Sequence, residues 1–284
     1  MIRLSRSGDE AALRTLWQVA FGDPADAIDA FFRTLYVPGS AIVREEDGGI
    51  ASAIYLLDAG YTPAVDGTQL RTSYAYALAT LPAYRGRGIG SDVTSACIAY
   101  SSADGYDLNV ICPAEESLFP YYTRLGYDGV FLIAEGEILS AQSVQHPFTN
   151  NIMSTNFSTY SQLRRALSPD CATLYSEPYL RYAELVCNSS GGGLYRLELN
   201  GQTACAAVDR RDADQLFIRE FLPASLSEIG IPALCTHLSA ASAIARTSAD
   251  KAPPPLQRRP FALFARSGTQ TPLPSGGYFP FVLD

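Results

Sequence analysis

The 284-residue sequence is poor in the residues that build metal centres and nucleic-acid surfaces. It has only two histidines, His146 and His237, so a metal site made of several histidines is excluded. Its six cysteines lie far apart and form no Cys-x-x-Cys pair, which favours buried free thiols over metal ligands or disulfides. Acidic residues outnumber basic ones by 29 to 21, giving a net charge of -8, whereas nucleic-acid surfaces are basic. The sequence therefore predicts no metal and no nucleic-acid partner.

Long apolar runs are also missing. No stretch approaches the roughly 20 apolar residues that span a bilayer, and the first ten residues lack the apolar region of a signal peptide. We therefore expect a cytoplasmic protein with no membrane partner. With 47% hydrophobic and 18% charged residues, the chain can bury a substantial core in one large domain or two smaller ones.

The most informative stretch runs from Leu78 to Ser91. An alternating apolar segment, Thr72–Thr80, predicts a strand that ends at Leu81-Pro82, because proline cannot donate a hydrogen bond to a ladder. The glycine-rich turn Arg85–Gly90 follows, and helical spacing begins at Ser91. Glycines allow close approach of the backbone, a helix N-terminus offers unpaired N–H groups, and arginines add charge. This order of elements is suited to a phosphate or diphosphate.

Two common phosphate loops do not fit this turn. A P-loop needs a lysine after its glycines, and none follows here. A dinucleotide fingerprint counted from Gly86 and Gly88 needs a third glycine where Ser91 stands. The remaining pattern, Arg85-x-x-Gly88-x-Gly90 after a strand ending in Leu-Pro, resembles the acetyl-coenzyme A pyrophosphate loop of the GNAT superfamily of N-acetyltransferases. The resemblance implies that the coenzyme is bound by Leu78, Ala79, Thr80, Arg85, Gly86, Arg87, Gly88, Ile89, Gly90 and Ser91.

A second segment, Phe119–Tyr127, is similar to the other motif of that family, an aromatic helix that leads to Leu-Gly-Tyr. The resemblance implies that Tyr122 lies beside the coenzyme sulfur and protonates the departing thiolate. A phenol with a pKa near 10 suffices for this role, because a thiolate leaving group with a pKa near 8.5 needs little assistance. The alternative is an aromatic core residue on an amphipathic helix. The implied fold is α/β (α+β), a GNAT fold with a mixed, largely antiparallel split central sheet flanked by helices.

The second half of the chain repeats this order of helices and strands but lacks the arginine-glycine turn. Its corresponding stretch is Phe221–Gly230, and Ala233–Ile244 reads as a further short helix. We interpret this half as a degenerate GNAT-like domain that cannot hold the coenzyme diphosphate, with an unrelated α+β domain as the alternative. The arrangement is similar to tandem acetyltransferases of the enhanced-intracellular-survival type, without their sterol-carrier-like domain. We predict an acetyl-CoA-binding domain at 1–140, a connecting segment at 141–160 and the degenerate domain at 161–284.

The resemblance to tandem enzymes also implies a base. Their terminal carboxylate enters the active site, and the matching residue is Asp284, whose α-carboxylate would accept the proton of the amine. Another carboxylate or a water chain stays open. The function expected is an acetyl-CoA-dependent N-acetyltransferase that moves an acetyl group directly to a primary amine of a small molecule or peptide. A non-catalytic GNAT-like protein that senses the coenzyme or regulates a partner is the alternative, and homo-oligomerisation is left open.

Overall fold

The computed structural model describes residues 1–140, 151–267, 272–273 and 277–281. The chain forms two compact units, the first made of 1–130 with 262–272 and the second of 131–261 with 273–284. This division differs from a boundary at residues 140 and 161, because the chain leaves the first unit near the start of a strand. Residues 262–267 return to the first unit because they hydrogen-bond to one of its strands.

The first unit is a mixed sheet with helices packed on it. Its helices and strands in chain order are β1 (Ile2–Leu4), α1 (Glu10–Phe21), α2 (Ala25–Thr34), β2 (Ala41–Glu46), β3 (Gly49–Pro63), β4 (Gln69–Thr80), α3 (Ile89–Ala103), β5 (Leu108–Ile111) and α4 (Phe119–Arg124). Strands β1 to β5 follow one another across the sheet. All neighbours are antiparallel except β4 and β5, which are parallel and joined through α3.

The two faces of this sheet carry different cores. Side chains alternate between faces along a strand, so Ile54 and Ala75 point to one face while Tyr55 and Tyr76 point to the other. Ile54 and Ala75 belong to an apolar cluster with residues of α3 and α4. Tyr55 and Tyr76 instead contact Trp17 of α1, with ring centroids 5.4 and 5.7 Å away. Helix α1 therefore packs on an aromatic face of the sheet.

The second unit repeats this topology. Its helices and strands in chain order are β6 (Gly129–Leu139), β7 (Asn151–Thr155), α5 (Phe157–Leu167), β8 (Leu174–Tyr175), α6 (Glu177–Ser189), β9 (Gly193–Leu199), β10 (Gln202–Arg210), β11 (Gln215–Leu222), α7 (Ser227–His237) and β12 (Ser242–Ser248). The last strand of the chain, β13 (Gln257–Arg266), enters the first unit at residue 262. The sheet runs β6-β12-β11-β10-β9-β7, and β11 and β12 are its parallel pair, joined through α7. Helix α7 therefore occupies the place in the topology that α3 has in the first unit.

The last strand of each sheet comes from the other half of the sequence. Residues 263–266 of β13 run antiparallel to β5 in the first unit. Strand β6, which follows the α4 segment, runs antiparallel to β12 in the second unit. In each unit, therefore, an antiparallel strand lies beside the parallel pair. The first unit takes this strand from the second half of the sequence, and the second unit takes it from the first half.

Two stretches differ from the sequence-based expectation. Residues 151–160, predicted as part of a connecting segment, contain β7 and the start of α5, while 141–150 lie outside the described residues. β7 lies at the edge of its sheet with most residues exposed, so it shows no strong apolar alternation. The predicted helix Ala233–Ile244 is also wrong, because α7 ends at His237 and β12 follows. Ser239 adopts a left-handed φ of 54°, which turns the chain away from the helix.

Candidate active site

Strand β4 bends where it separates from β5. The two strands pair only over Thr72–Ala75 and Leu108–Ile111, whereas β4 continues to Thr80. In the pairing with β3, the three-residue step from Tyr76 to Ala79 in β4 lies opposite a two-residue step in β3. The extra residue in β4 marks a β-bulge. Within this bulge Ala77 has a φ of 50°. Beyond the bulge, the β5 side of β4 pairs with no strand in the described part of the chain, so its backbone groups are available.

Hydrogen bonds hold the end of β4 in place. Ser52 Oγ donates to the carbonyl oxygen of Ala79 at 2.6 Å and lies 2.9 Å from Thr80 Oγ1. Arg85 Nε donates to the carbonyl oxygen of Thr80 at 3.0 Å. The strand end and the following turn therefore form one connected structure.

The turn after β4 is open. Gly86 and Gly88 have left-handed φ values of 76° and 78°, and a Cβ on either residue would meet no atom within 4 Å. Gly88 directly precedes Ile89, the first residue of α3, and no side chain caps this helix. The first N–H groups of α3 are therefore offered to an anion beside a backbone that nothing covers.

Both arginines of this turn are exposed. The guanidinium of Arg87 lies 5.3 Å from the ring centroid of Tyr84, whose hydroxyl donates to Asp47 Oδ2 at 2.9 Å. Neither Arg85 nor Arg87 forms an ion pair with a described carboxylate. Their positive charge is therefore not neutralised within the described protein, as a diphosphate site requires.

Tyr122 lies on α4 in the apolar cluster that also contains Ile89 and Tyr127. It is 8% exposed, and burial raises the pKa of its phenol to about 12, with smaller contributions from Tyr121 and Cys112. The phenol therefore stays protonated at neutral pH and can act as a hydrogen-bond or proton donor, but not as a base.

Tyr121 points to the start of α3. Its hydroxyl lies 3.1 Å from Ser91 Oγ and 3.7 Å from the position that a Cβ on Gly90 would take. Thr80 Oγ1 lies at the same distance from that position. Tyr121 therefore joins α4 to the strand end and the glycine turn.

The structure brings most of the predicted residues together. Leu78, Ala79 and Thr80 form the bulged strand end, and the turn and first residues of α3 follow directly. Asp284 lies outside the described residues. Sequence reasoning did not predict the contacts of Ser52, Asp47 and Tyr121. Tyr121 lies inside the recognised motif and could have been found there, whereas the β2–β3 residues carry no signature of a phosphate site.

The other expectations concern thiols, metals and membranes. Cys112 is half-buried and the other five cysteines are buried, as predicted, and burial raises the pKa of the Cys97 thiol to about 12. Across the described ranges, no three His, Cys, Asp or Glu side chains are grouped to hold a metal ion. None of the helices in those ranges is long and apolar enough to cross a membrane.

Comparison with known proteins finds a family model that matches the first unit. The model of the acetyltransferase (GNAT) domain matches residues 1–130, slightly less than half of the chain. The matched segment contains the bulged strand, the glycine turn and both tyrosines. No curated protein sequence is similar enough to the chain to count as a match.

Solved structures extend the likeness to the second unit. A probable N-acyltransferase from Enterococcus faecalis superposes on 94% of this chain and 72% of its own, at 15% identity and a TM-score of 0.68. Eis1 from Mycobacterium abscessus covers 94% of this chain and 74% of its own, at 12% identity and a TM-score of 0.64. A tandem GNAT protein from the clavulanic acid biosynthesis pathway covers 95% of this chain and all of its own, at 12% identity and a TM-score of 0.54. At such identities the likeness shows the fold, and it confirms the tandem arrangement.

Proposed function

We propose that the protein transfers an acetyl group from acetyl-CoA directly to a primary amine of a small molecule or peptide. The observation that carries this proposal is the site at the end of β4. There an unpaired strand edge, two open glycines, two unneutralised arginines and an uncapped helix N-terminus follow one another within Tyr76–Gly90. Acetyl-CoA, the acyl donor of the GNAT family, carries a pantetheine arm and a diphosphate. Binding it requires this combination of groups.

Each part of the site would bind a different part of the coenzyme. The backbone of Leu78 and Thr80, on the edge beyond the bulge, would pair with the pantetheine amides as an added strand does. The first N–H groups of α3 with Arg85 and Arg87 would bind the diphosphate. The open space above Gly86 and Gly88 supports this fit, because a side chain there would occupy the position of the phosphates.

The chemistry then needs positioning and two proton transfers. Holding the amine against the thioester can supply roughly 7–11 kcal/mol of the barrier at best. Tyr122 would donate a hydrogen bond and then a proton to the departing thiolate; burial keeps its phenol protonated, and the same rise in pKa makes it a weaker acid than an exposed tyrosine. A carboxylate or a water chain would accept the proton of the attacking amine. The second unit would bind no coenzyme.

Calorimetry with acetyl-CoA and a thiol-release assay over a panel of amines test the proposal. We expect binding of acetyl-CoA and amine-dependent release of free thiol. Binding without thiol release for any amine would favour the coenzyme-sensing alternative. Absence of binding would contradict both functions.

The role of Tyr122 predicts a particular variant effect and pH profile. Tyr122→Phe should lower kcat more than it changes the dissociation constant of acetyl-CoA, because the ring still packs while the donor is lost. Because the phenol pKa is about 12, wild-type kcat should show no alkaline decline from this group up to pH 10. A decline near pH 10 that Tyr122→Phe abolishes would contradict the raised pKa. Equal kcat in both proteins would exclude Tyr122 as the acid.

A further inference from the structure

Ser52 is a fully buried residue that lies opposite the bulged end of β4. It belongs to β3, in register with Thr80, and its side chain has no exposed surface. Its Oγ lies 2.6 Å from the carbonyl oxygen of Ala79 and 2.9 Å from Thr80 Oγ1. The two motifs that predicted the coenzyme site contain no residue of β3, so they assign no role to Ser52.

The hydroxyl protons of Ser52 and Thr80 can be assigned from their partners. A carbonyl oxygen can only accept, so the single hydroxyl proton of Ser52 is donated to Ala79. The hydroxyl proton of Thr80 is then donated to Ser52 Oγ, because the hydroxyl of Ser52 has no second proton to give. Ser52 therefore connects the backbone of Ala79 to the side chain of Thr80.

These bonds fix the direction of the peptide group between Ala79 and Thr80. In a trans peptide the C=O and N–H point in opposite directions, so holding the carbonyl of Ala79 toward β3 turns the N–H of Thr80 toward the other edge. The ladder agrees with this direction. The N–H of Leu81 donates to the carbonyl oxygen of Ala51 at 2.9 Å, and since hydrogen-bonded positions alternate in antiparallel pairs, the backbone groups of Thr80 point away from β3.

The equivalent strand end of the second unit has its edge occupied by the protein. The carbonyl oxygen of Phe221, near the end of β11, accepts a hydrogen bond at 2.7 Å from Thr247 Oγ1 on the parallel neighbour β12. Pro223, the first residue after β11, has no backbone N–H. In the first unit the hydroxyl that holds the strand end comes from the antiparallel neighbour β3 instead. Of these two arrangements, the first leaves open the edge that faces the parallel strand.

We propose that Ser52 is a positioning residue for the pantetheine arm of acetyl-CoA. Its hydrogen bonds hold the bulged end of β4 so that the N–H of Thr80 points to the arm, while Ser52 itself does not touch the coenzyme. This inference rests on the proposed function, because it concerns the same strand edge. Without the Ser52 hydroxyl, the carbonyl of Ala79 and the hydroxyl of Thr80 each lose a partner, and the strand end is held less firmly.

A matched pair of variants separates positioning from general stability. Thr72→Val removes a buried hydroxyl of β4 that donates to the carbonyl oxygen of Leu70 at 2.9 Å and lies 2.9 Å from Thr62 Oγ1 across the same strand pair. This variant and Ser52→Ala should shift the urea midpoint of unfolding to lower concentration by similar amounts. In calorimetry, the affinity for acetyl-CoA should fall roughly threefold to tenfold in Ser52→Ala and stay unchanged in Thr72→Val, as loss of one hydrogen bond at the strand end predicts.

ADP locates the effect, because it keeps the diphosphate and lacks the pantetheine arm. Ser52→Ala should bind ADP as the wild type does, whereas Arg85→Glu should weaken the binding of both ADP and acetyl-CoA. Unchanged affinity for acetyl-CoA in Ser52→Ala, an equal loss in Thr72→Val, or an equal loss for ADP would overturn the positioning role and leave the proposed function intact. Failure of the wild-type protein to bind acetyl-CoA would instead overturn the proposed function, and this inference with it.

Discussion

The segments β4–α3 and β11–α7 are equivalent in the two units, yet their glycines have different surroundings. A Cβ at Gly88, which directly precedes α3, would meet no atom within 4 Å, whereas a Cβ at Gly230, in the first turn of α7, would overlap the ring of Phe221. Ala224 and Leu226 of the β11–α7 connection are buried, while the residues Arg85–Gly88 are exposed. The same backbone topology therefore leaves an exposed turn in one unit and a partly buried connection in the other.

The β-bulge is common to both units. Between Ile218 and Glu220, β11 has one residue more than the facing segment of β10, just as β4 has one residue more than the facing segment of β3. A bulge before the helix is therefore a property of the fold, and it does not by itself make a coenzyme site. The glycines, the arginines and the empty space distinguish the first unit.

Arg164 of the second unit and the two turn arginines of the first unit also have different roles. Arg164 of the second unit is 2% exposed, and its Nε lies 2.9 Å from Glu220 Oε2, which also accepts from the hydroxyl of Tyr160 at 2.6 Å. Arg85 and Arg87 are exposed and form no ion pair with a described carboxylate. Arg164 therefore stabilises the fold of the second unit, whereas Arg85 and Arg87 are positioned where they can bind a ligand.

The largest expected effect follows from removing the buried acid. Glu220→Gln leaves the guanidinium of Arg164 buried without its counter-charge, and it should lower the free energy of unfolding by about 3–5 kcal/mol. Urea denaturation measures this. Glu177→Gln breaks the exposed pair with Arg181 and is the control, with an expected loss below about 0.5 kcal/mol. Equal losses in the two variants would show that burial of the Arg164 pair is unimportant.

A pair of glycine substitutions sharpens the contrast between the connections. Gly230→Ala should lower the free energy of unfolding by about 1–3 kcal/mol, because the new Cβ overlaps Phe221, and should leave the affinity for acetyl-CoA unchanged. Gly88→Ala should cost about 1–2 kcal/mol from its left-handed φ and should also weaken acetyl-CoA binding. Denaturation and calorimetry on both variants give the two readouts. If Gly88→Ala kept full affinity, the glycine turn would not approach the coenzyme.

The smallest effect concerns the support of Arg87. Tyr84→Phe removes the hydrogen bond to Asp47 and should raise the KM for acetyl-CoA only a few fold, because the ring still lies beside the guanidinium. Steady-state kinetics with a fixed amine would measure the change in KM. Tyr61→Phe, at an exposed side chain of β3, is the control. A change in kcat with an unaltered KM for acetyl-CoA would mean that Tyr84 acts on the amine acceptor and not on the coenzyme.

The sequence predicted the elements whose signals are local. The proline after β4, the alternating apolar residues and the glycine turn are each recognised within a few residues, and the resemblance to a family motif predicted the site from them. The contact of Tyr121 with Ser91 and that of Tyr84 with Asp47 join segments 30 and 37 residues apart, so no local pattern reports them. The exchange of β6 and β13 between the sheets was likewise not predictable, because each strand has the same alternation whichever partner it joins.

The most direct test of the account is a calorimetric titration of the full chain with acetyl-CoA, for the wild type and for Arg85→Glu. The account predicts one coenzyme per chain and a loss of affinity of roughly tenfold to hundredfold in the variant, because a charged hydrogen bond to the diphosphate is replaced by repulsion. Two coenzymes per chain would contradict the assignment of a single coenzyme site to the first unit. Unchanged affinity in Arg85→Glu would contradict the assignment of the β4–α3 turn.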